Sequence, residues 1–336
     1  MKNTKKVLLL FDSPFVAPRE YDFAEEFKTA DWVTEKNVYR ALLANGYEAL
    51  CLGVHDNIAI VLDEIKENRP DVVFNLTEVF NEKSNFDKNI AWLVEVLGVP
   101  YTGASPSILG ICNNKALTKK ILAYHRIKVP KFHTFYKGRR VYRPKRLNTP
   151  LIVKPLGEEA SRGISQASIV DSDDALVERV RFIHEKMDRD AIVEEYINGR
   201  ELYIGVIGNK RTRVFPPIEM KFGSGLEDEA RIATYKAKWD NDYRKKWGIK
   251  NILVNKLPEG MNEKIASICR RAYRVLNIRS YVRFDIRFTA TGDVYIIEVN
   301  ANPNLAKYED FSLCAEKNGL PYNKLIKSII SLAFQR

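Results

Sequence analysis

Residues that ligate soft metals are scarce in this chain: 336 residues include only four cysteines and four histidines, and neither type clusters. Cys51, Cys112, Cys269 and Cys314 show none of the paired spacing that holds zinc or exchanges disulfides, so they read as buried thiols in a reducing compartment. His55, His125, His133 and His184 are equally dispersed, which argues against a histidine metal centre or a catalytic histidine. No apolar run approaches the length of a membrane span. The stretch 7–11, behind the basic start Met1-Lys2-Asn3-Thr4-Lys5-Lys6, is also too short for a signal peptide. A P-loop, Gly-x-x-x-x-Gly-Lys-Ser/Thr, is missing, as is any internal repeat or low-complexity tract. The expected location is the cytoplasm, with no membrane partner.

Positive charge, by contrast, is plentiful. Lys and Arg number 54 against 43 Asp and Glu, a formal net charge of +11, which favours an anionic partner such as ATP, an acidic substrate or nucleic acid. Apolar residues make up 45%, with 16 Phe and 16 Tyr, ample for packed interiors. The length exceeds a usual single domain, so two or three subdomains are expected.

Residues 6–11, 49–54 and 71–76 read as strands, and 35–45, 58–67 and 90–97 as helices. Asn45-Gly46 stops the first helix and Arg69-Pro70 the second. This alternation argues for a parallel α/β layer. Helical spacing returns over 113–124, which carries Lys115, Lys119 and Lys120, and over 172–186, with Ser172 and Asp173 as candidate caps. Between them an apolar segment from 147 enters a strand ending at Lys154-Pro155. Residues 191–197 and 201–207 read as strands, and the intervening Asn198-Gly199 predicts a β-hairpin. The polar stretch 222–250 reads as an irregular, mobile loop, and 263–276 as an amphipathic helix.

The most informative stretch follows. Arg283 and Asp285 lie two apart in Tyr281-Val282-Arg283-Phe284-Asp285-Ile286-Arg287-Phe288, so an extended chain puts them on one face. A turn at Thr291-Gly292-Asp293 leads into Val294-Tyr295-Ile296-Ile297-Glu298-Val299-Asn300, where Glu298 and Asn300 again share a face. If the strands pair, two carboxylates, an amide oxygen and a guanidinium converge, a set that suits magnesium carried by substrate phosphates. A solvated hairpin face would show the same alternation, so periodicity alone leaves both readings open. Upstream, Lys154 precedes a loop with Ser161 and Gly163, where backbone N–H groups can approach phosphate and lysine supplies a point charge. A surface turn is the commoner meaning of such a loop.

Taken in order, these motifs resemble the ATP-grasp superfamily, in particular its D-alanine–D-alanine ligase branch. They are Asn114-Lys115-Ala116-Leu117-Thr118-Lys119, Ile152-Val153-Lys154-Pro155, Ser161-Arg162-Gly163, Val193-Glu194-Glu195-Tyr196-Ile197, Glu201, and Arg-x-Asp ahead of Glu-x-Asn-x-Asn302-Pro303. Gly98-Val99-Pro100-Tyr101-Thr102-Gly103 extends the likeness to the N-terminal layer. The resemblance implies a mixed α/β and α+β chain: a Rossmann-like parallel α/β layer (1–112), then a two-subdomain ATP-grasp fold. The central subdomain would span 113–200, and the C-terminal one, with the metal-binding hairpin, 201–336.

It also implies ATP with Mg2+, or Mn2+ in its place, and a role for each matching position. Asp285, Glu298 and Asn300 would bind the metal. Lys115 and Lys154 would lie on the phosphates and adenine edge, with Ser161 and Gly163 over the phosphates. Glu194, Glu195, Tyr196 and Ile197 would meet adenine, mostly through backbone groups, and Glu201 the ribose hydroxyls. The catalytic set would be Arg283 at the transferring phosphoryl group, Lys238 on the phosphates from a mobile loop, and backbone N–H groups near Asn304 as oxyanion donors. The implied activity joins a small carboxylate to an amine, an amino acid or peptide, through an acyl phosphate with release of ADP. A homodimer is compatible with it.

Departures from that pattern concentrate on one side. Ligases that join D-alanine carry His-Gly-x-x-Gly-Glu-Asp-Gly where this chain has Asn75-Leu76-Thr77-Glu78-Val79-Phe80-Asn81-Glu82. A serine that touches substrate aligns with Ala160, a tyrosine with Trp239, and Ser-Pro-Gly with Asn302-Pro303-Asn304. Nucleotide and metal positions are kept while substrate positions change, which predicts a different substrate. Two alternatives stay in view. A ligase acting on a peptide or protein would suit a less polar substrate end. A nucleotide- or nucleic-acid-binding protein without ligase activity is motivated by the basic run 137–146 with its interleaved Tyr142. A solvated basic loop is the commoner meaning of such a run, and retention of every magnesium ligand disfavours a nucleic-acid partner.

Overall fold

The computed structural model describes residues 5–158, 162–223, 232–254 and 256–335. β1 (Lys6–Asp12) is the middle strand of a parallel sheet, and its residues 7–11 have no exposed surface. Such a continuous apolar run is what a strand covered on both faces requires. α1 (Val33–Ala44), β2 (Glu48–Val54), α2 (Ala59–Asn68), β3 (Val72–Asn75) and α3 (Asp87–Val96) follow, giving the strand order β2-β1-β3. Val7, Leu9 and Phe11 share a core with Val38 and Leu42 of α1; Leu8 and Leu10 share another with Val61 of α2 and Ile90 of α3. This is the Rossmann-like layer that the alternation predicts.

α4 (Pro106–Asn113) and α5 (Lys115–Tyr124) are separate helices. α5 is the helix expected over 113–124; Asn114 caps it, accepting from the Leu117 N–H at 3.0 Å. β4 (Phe132–Phe135), β5 (Leu151–Pro155), β6 (Ile169–Val170), α6 (Asp173–Lys186) and β7 (Ala191–Glu195) build a small antiparallel sheet ordered β4-β7-β5-β6. Leu176, Val180 and Ile183 of α6 close its core against Leu151, Val153 and Val193. Ser172 caps α6 as expected, accepting from the Ala175 N–H at 3.2 Å.

The remaining elements are β8 (Arg200–Gly208), β9 (Thr212–Val214), β10 (Ile218–Lys221), α7 (Tyr235–Trp239), α8 (Asn241–Lys246), β11 (Lys250–Leu253), α9 (Met261–Val275), β12 (Tyr281–Phe288), β13 (Val294–Asn300), α10 (Asp310–Lys317) and α11 (Tyr322–Ala333). They form a larger antiparallel sheet, β11-β10-β8-β12-β13, with β9 also on β8. α11 returns to the N-terminal layer, where Leu325, Ile326 and Ile329 join the core of Val38 and Leu42. Among the described residues no helix is long and apolar enough to cross a membrane, and all four cysteines are free, three of them buried.

Two sequence expectations fail. Asn198-Gly199 is not a hairpin turn, because β7 lies in the small sheet and β8 in the large one. The glycine instead permits close approach of two backbones: a Cβ on Gly199 would sit 2.4 Å from the Phe288 carbonyl oxygen. Nor is 222–250 an irregular loop throughout. α7, α8 and the start of β11 lie within it, capped by Thr234 (from the Ala237 N–H, 3.1 Å) and Asp240 (from the Tyr243 N–H, 2.9 Å). Helices of five and six residues are too short for periodicity to register.

At Gly205 in the central strand β8, a Cβ would lie 2.7 Å from the Phe215 ring and 3.1 Å from that of Phe311, both buried. Gly205→Ala is therefore expected to lower folding stability by about 1–3 kcal/mol through overpacking. Equilibrium denaturation checks this; an unchanged midpoint would mean that the rings yield without cost.

Candidate active site

β12 and β13 do pair, and the register sets Arg283 opposite Asn300 and Asp285 opposite Glu298. Alternation then brings all four side chains to one face. Asp285 is only 3% exposed. It accepts a two-pronged contact from Arg283 (Nε 2.7 Å, Nη2 3.0 Å) and a third hydrogen bond from the Asn300 amide at 3.2 Å. Lys238 Nζ, on α7, stands 3.7 Å away. Asp310 of α10 reaches the far side of Arg283 at 3.4 Å. Glu298 pairs with Lys115 at 2.8 Å. Burial pushes Asp285 above the usual carboxylate range despite Arg283, whereas for Glu298 the opposite pull of Lys115 and then Lys238 outweighs burial and holds the carboxyl low.

Behind these lies a second buried cluster. Glu194 of β7, 1% exposed, is held between Lys119 of α5 (2.9 Å) and Lys154 of β5 (2.9 Å). The two lysines overcome the burial that would otherwise raise Glu194, and its carboxyl stays low. Lys119 also donates to the Ile297 carbonyl at 2.6 Å. Burial draws Lys119 down from the usual lysine value, against the pull of Glu194.

A narrow cavity of about 60 Å³ separates the small sheet from the large one. Its lining brings together Lys154, Glu194, Glu195, Tyr196, Ile197, Glu201, Lys238, Asp285 and Glu298. Lys115 joins them through its pair with Glu298, and it also donates to the Glu158 carbonyl. Glu201 is fixed by Arg287 (2.8 Å) and the Tyr203 hydroxyl (3.0 Å), and the Arg287 guanidinium lies over the Tyr196 ring, 5.7 Å from its centroid. Lys238 is on a helical turn rather than a loop. Gly163 does not line this cavity; it packs on Pro155 and Met187, and its carbonyl accepts from Arg179 at 2.6 Å. Ile164 takes its place in the wall. Ser161 and Ala160 lie outside the described residues.

Two further cavities, of about 140 and 190 Å³, flank the hairpin's other end and share Thr77, Glu78, Asn302, Pro303 and Asn304. The first adds Arg162, Trp239, Arg283 and Asn300; the second adds Asp12, Asp31 and Glu35 of the N-terminal layer. The Asn304 side chain accepts from the Ala306 N–H (2.7 Å) and the Thr34 hydroxyl (3.1 Å). Asn302 accepts from the Ala104 N–H at 2.8 Å. Lys119, Arg287, Tyr203 and Asp310 are the site residues that the sequence reading passes over. Arg287 was signalled by its place two residues after Asp285, and Lys119 by standing one helical turn after Lys115.

The basic run 137–146 is largely exposed and partly engaged. Lys137 pairs with Asp188, Arg143 with Asp173 at 2.6 Å, and Arg146 donates to the Phe132 carbonyl at 2.8 Å.

A family model described as "D-ala D-ala ligase C-terminus" matches residues 121–331, well over half of the chain. A D-alanine–D-alanine ligase of Desulforudis audaxviator is 28% identical over 305 residues, covering 89% of this chain and 92% of that protein. Among solved structures, the D-alanine–D-alanine ligase of Bacillus anthracis complexed with ATP superimposes with a TM-score of 0.74 at 20% identity, over 99% of this chain and 98% of the other. VanG D-Ala:D-Ser ligase from Enterococcus faecalis gives 0.72 at 17% identity, over 98% and 100%.

The acidic cavity supplies a test that is independent of what binds there. Burial, with the charge of Asp12 adding, pushes Glu35 up from 4.5 to about 7. A carboxyl raised on folding holds more protons in the folded state, so stability falls as pH rises across that window. Glu35→Gln removes the dependence. Relative to wild type the variant should gain stability between about pH 5 and 7 and level off above. A stability difference that stays constant across the window would refute the assignment.

Proposed function

This chain belongs to the D-alanine–D-alanine ligase family of ATP-dependent ligases, and on that premise we propose that it joins a small carboxylate to an amine through an acyl phosphate, with a substrate pair other than two D-alanines. The observation that carries the reading is the β12–β13 register, which faces Asp285 and Glu298 toward Lys154 and Lys238 across one cleft and sets Asn300 against Asp285. The division into a parallel layer (1–112), a central subdomain (113–200) and a C-terminal one (201–336) belongs to the same proposal.

The donor set fits magnesium. Among the described residues no group of three or more His, Cys, Asp or Glu gathers for a metal, but Mg2+ needs only one or two carboxylates plus substrate phosphates. A buried carboxylate (Asp285), a half-buried one (Glu298) and an amide oxygen meet that need. Held by Asp285, Glu298 and Asn300, Mg2+, or Mn2+ in its place, would screen the charge of the phosphates. The rest is done by the chain. Lys115, Lys154, Lys238 and Arg283 bring four cations to the cleft, each already beside a carboxylate, so an anionic nucleotide would meet cations ready to exchange one anion for another. Glu194, Glu195, Tyr196 and Ile197 would border adenine and Glu201 the ribose.

In the reaction a substrate carboxylate oxygen attacks the γ-phosphorus and the bond to ADP breaks. Arg283 and Lys238 hold the transferring group in line. The amine nitrogen then attacks the acyl carbon; backbone N–H groups near Asn304 receive the oxyanion, and phosphate departs with the bonding electrons as the amide forms and the nitrogen loses its proton.

The substrate side sits where the chain departs from the D-alanine-joining pattern. Trp239 and Asn302-Pro303-Asn304 line the cavity beside Arg283, and its volume, with that of its acidic neighbour, suits an amino acid or short peptide. A protein acceptor stays a second arm of the substrate screen. The family match favours a ligase over a nucleic-acid-binding protein.

ADP release with a library of amino acids and dipeptides tests the reading. Turnover that depends on an added amine is expected, and none with any amine, despite ATP binding, would overturn it. Asp285→Asn and Glu298→Gln should each cut ADP formation by about a hundredfold or more, since each removes charge from the phosphate-facing site, while circular dichroism stays native. Full turnover in either would mean that this hairpin is not the catalytic one.

A further inference from the structure

We propose that Lys119 is a positioning residue for the nucleotide: its ammonium takes up the charge of Glu194, so that Lys154 stays positive toward the phosphates, and it ties the adenine-side strand to the metal hairpin. This rests on the nucleotide reading of the cleft given above.

A lysine in the middle of a helix is ordinarily solvated. Lys119 is 2% exposed and sends its ammonium into the interface of the two subdomains. One contact goes to Glu194 Oε1 on β7 (2.9 Å), the other to the Ile297 carbonyl on β13 (2.6 Å). Lys115, one turn earlier on the same face of α5, grips the next residue of β13 through the Glu298 carboxylate at 2.8 Å. Two lysines spaced i, i+4 therefore clamp successive residues of the strand that carries the metal-facing groups. That strand belongs to the large sheet, whereas Glu194 belongs to the small one. The contacts of Lys119 thus fix how the two walls of the cleft meet.

Charge counting gives the second half of the argument. A buried carboxylate is compensated by one cation, and Glu194 has Lys154 on its Oε2 at 2.9 Å. Were that the whole cluster, Lys154 would spend its charge on Glu194. Lys119 is the surplus cation. It does not line the cleft, while Lys154 and Glu194 both do. Its charge therefore compensates Glu194 from behind and leaves the charge of Lys154 to the open side, where Lys154 stands.

The probe is ADP with Mg2+, titrated calorimetrically into the intact enzyme, because binding can be read without turnover. Lys119→Met should weaken binding by about tenfold, the size of one uncompensated charge close to the phosphates. The double variant Lys119→Met with Glu194→Gln should recover affinity to within about threefold of wild type, because the carboxylate that would cancel Lys154 is gone. A purely structural salt bridge predicts the reverse, the double variant binding as weakly as the single or worse. Should Lys119→Met be recovered unfolded, Lys119→Gln carries the test, since it keeps a donor and removes only the charge. Unchanged affinity in the folded variant, or no recovery in the double, overturns the proposal alone. Failure of the wild type to bind ADP with Mg2+ overturns the nucleotide reading itself, and the proposal with it.

Discussion

Two carboxylates, the buried Asp285 and the half-buried Glu298, stand opposite each other on paired strands, and the rest of the site is organised around making that tolerable. An unpaired buried charge carries an effective penalty of several kcal/mol, and like charges side by side add repulsion. Each carboxylate is given its own cation from a different part of the chain. Arg283 comes from the same strand, Lys115 from α5 and Lys238 from α7. Lys115 and Lys238 do not reach their partners until the helices that carry them are docked, so the charge balance of the hairpin is complete only inside the assembled fold. The dependence runs outward as well. Asn302, just past β13, fits against Gly103 so closely that a Cβ there would lie 2.6 Å from its Oδ1, and α11 closes the chain back onto α1.

The same constraint explains why the cleft is both charged and narrow. On the proposed reading, lysines that satisfy carboxylates also serve phosphates, with short side-chain movements exchanging one anion for another. On that reading nucleotide entry must also widen the space, because about 60 Å³ holds a few waters and ligand pockets run to several hundred. The two walls belong to different sheets, and α5 is the element bonded to both through Lys119. Separation of the walls would therefore act on the Lys119 contacts first.

Much of this was legible in the sequence because it rests on local periodicity. Strand alternation put Arg283 with Asp285 and Glu298 with Asn300, and the turn at Gly292 implied the pairing that the register confirms. The continuous apolar run of β1 likewise announced a strand buried on both faces. What stayed hidden depends on tertiary contact. Asn198-Gly199 carries a strong hairpin signal, yet local chemistry cannot say that the strands on either side join different sheets; Gly199 answers to the approach of Phe288 instead. Lys119 looks like any helical lysine until β7 and β13 close over it. Asp310 is an ordinary first-turn acid of α10, and only the packing of α10 on the large sheet brings it to Arg283.

The kept and the altered halves of the site also differ in what holds them. On the proposed reading the nucleotide side is held by charge: Lys119, Glu194 and Lys154 form one chain of contacts and Lys115 with Glu298 another, and changing one sign unbalances its neighbours. The walls of the two cavities beyond Arg283 are drawn from the N-terminal layer, the turn after β13 and the end of α7, which touch that network only at its rim. Asn302 and Asn304 spend their side chains on the Ala104 and Ala306 N–H groups and on Thr34, fastening the layer without entering the charge balance. Replacing them, or Trp239, reshapes the cavity while leaving the burial of Asp285 and Glu298 as it was. A scaffold built this way can exchange the molecules it joins far more cheaply than the nucleotide that drives the joining, and the departures in this chain fall on the cheap side of that divide.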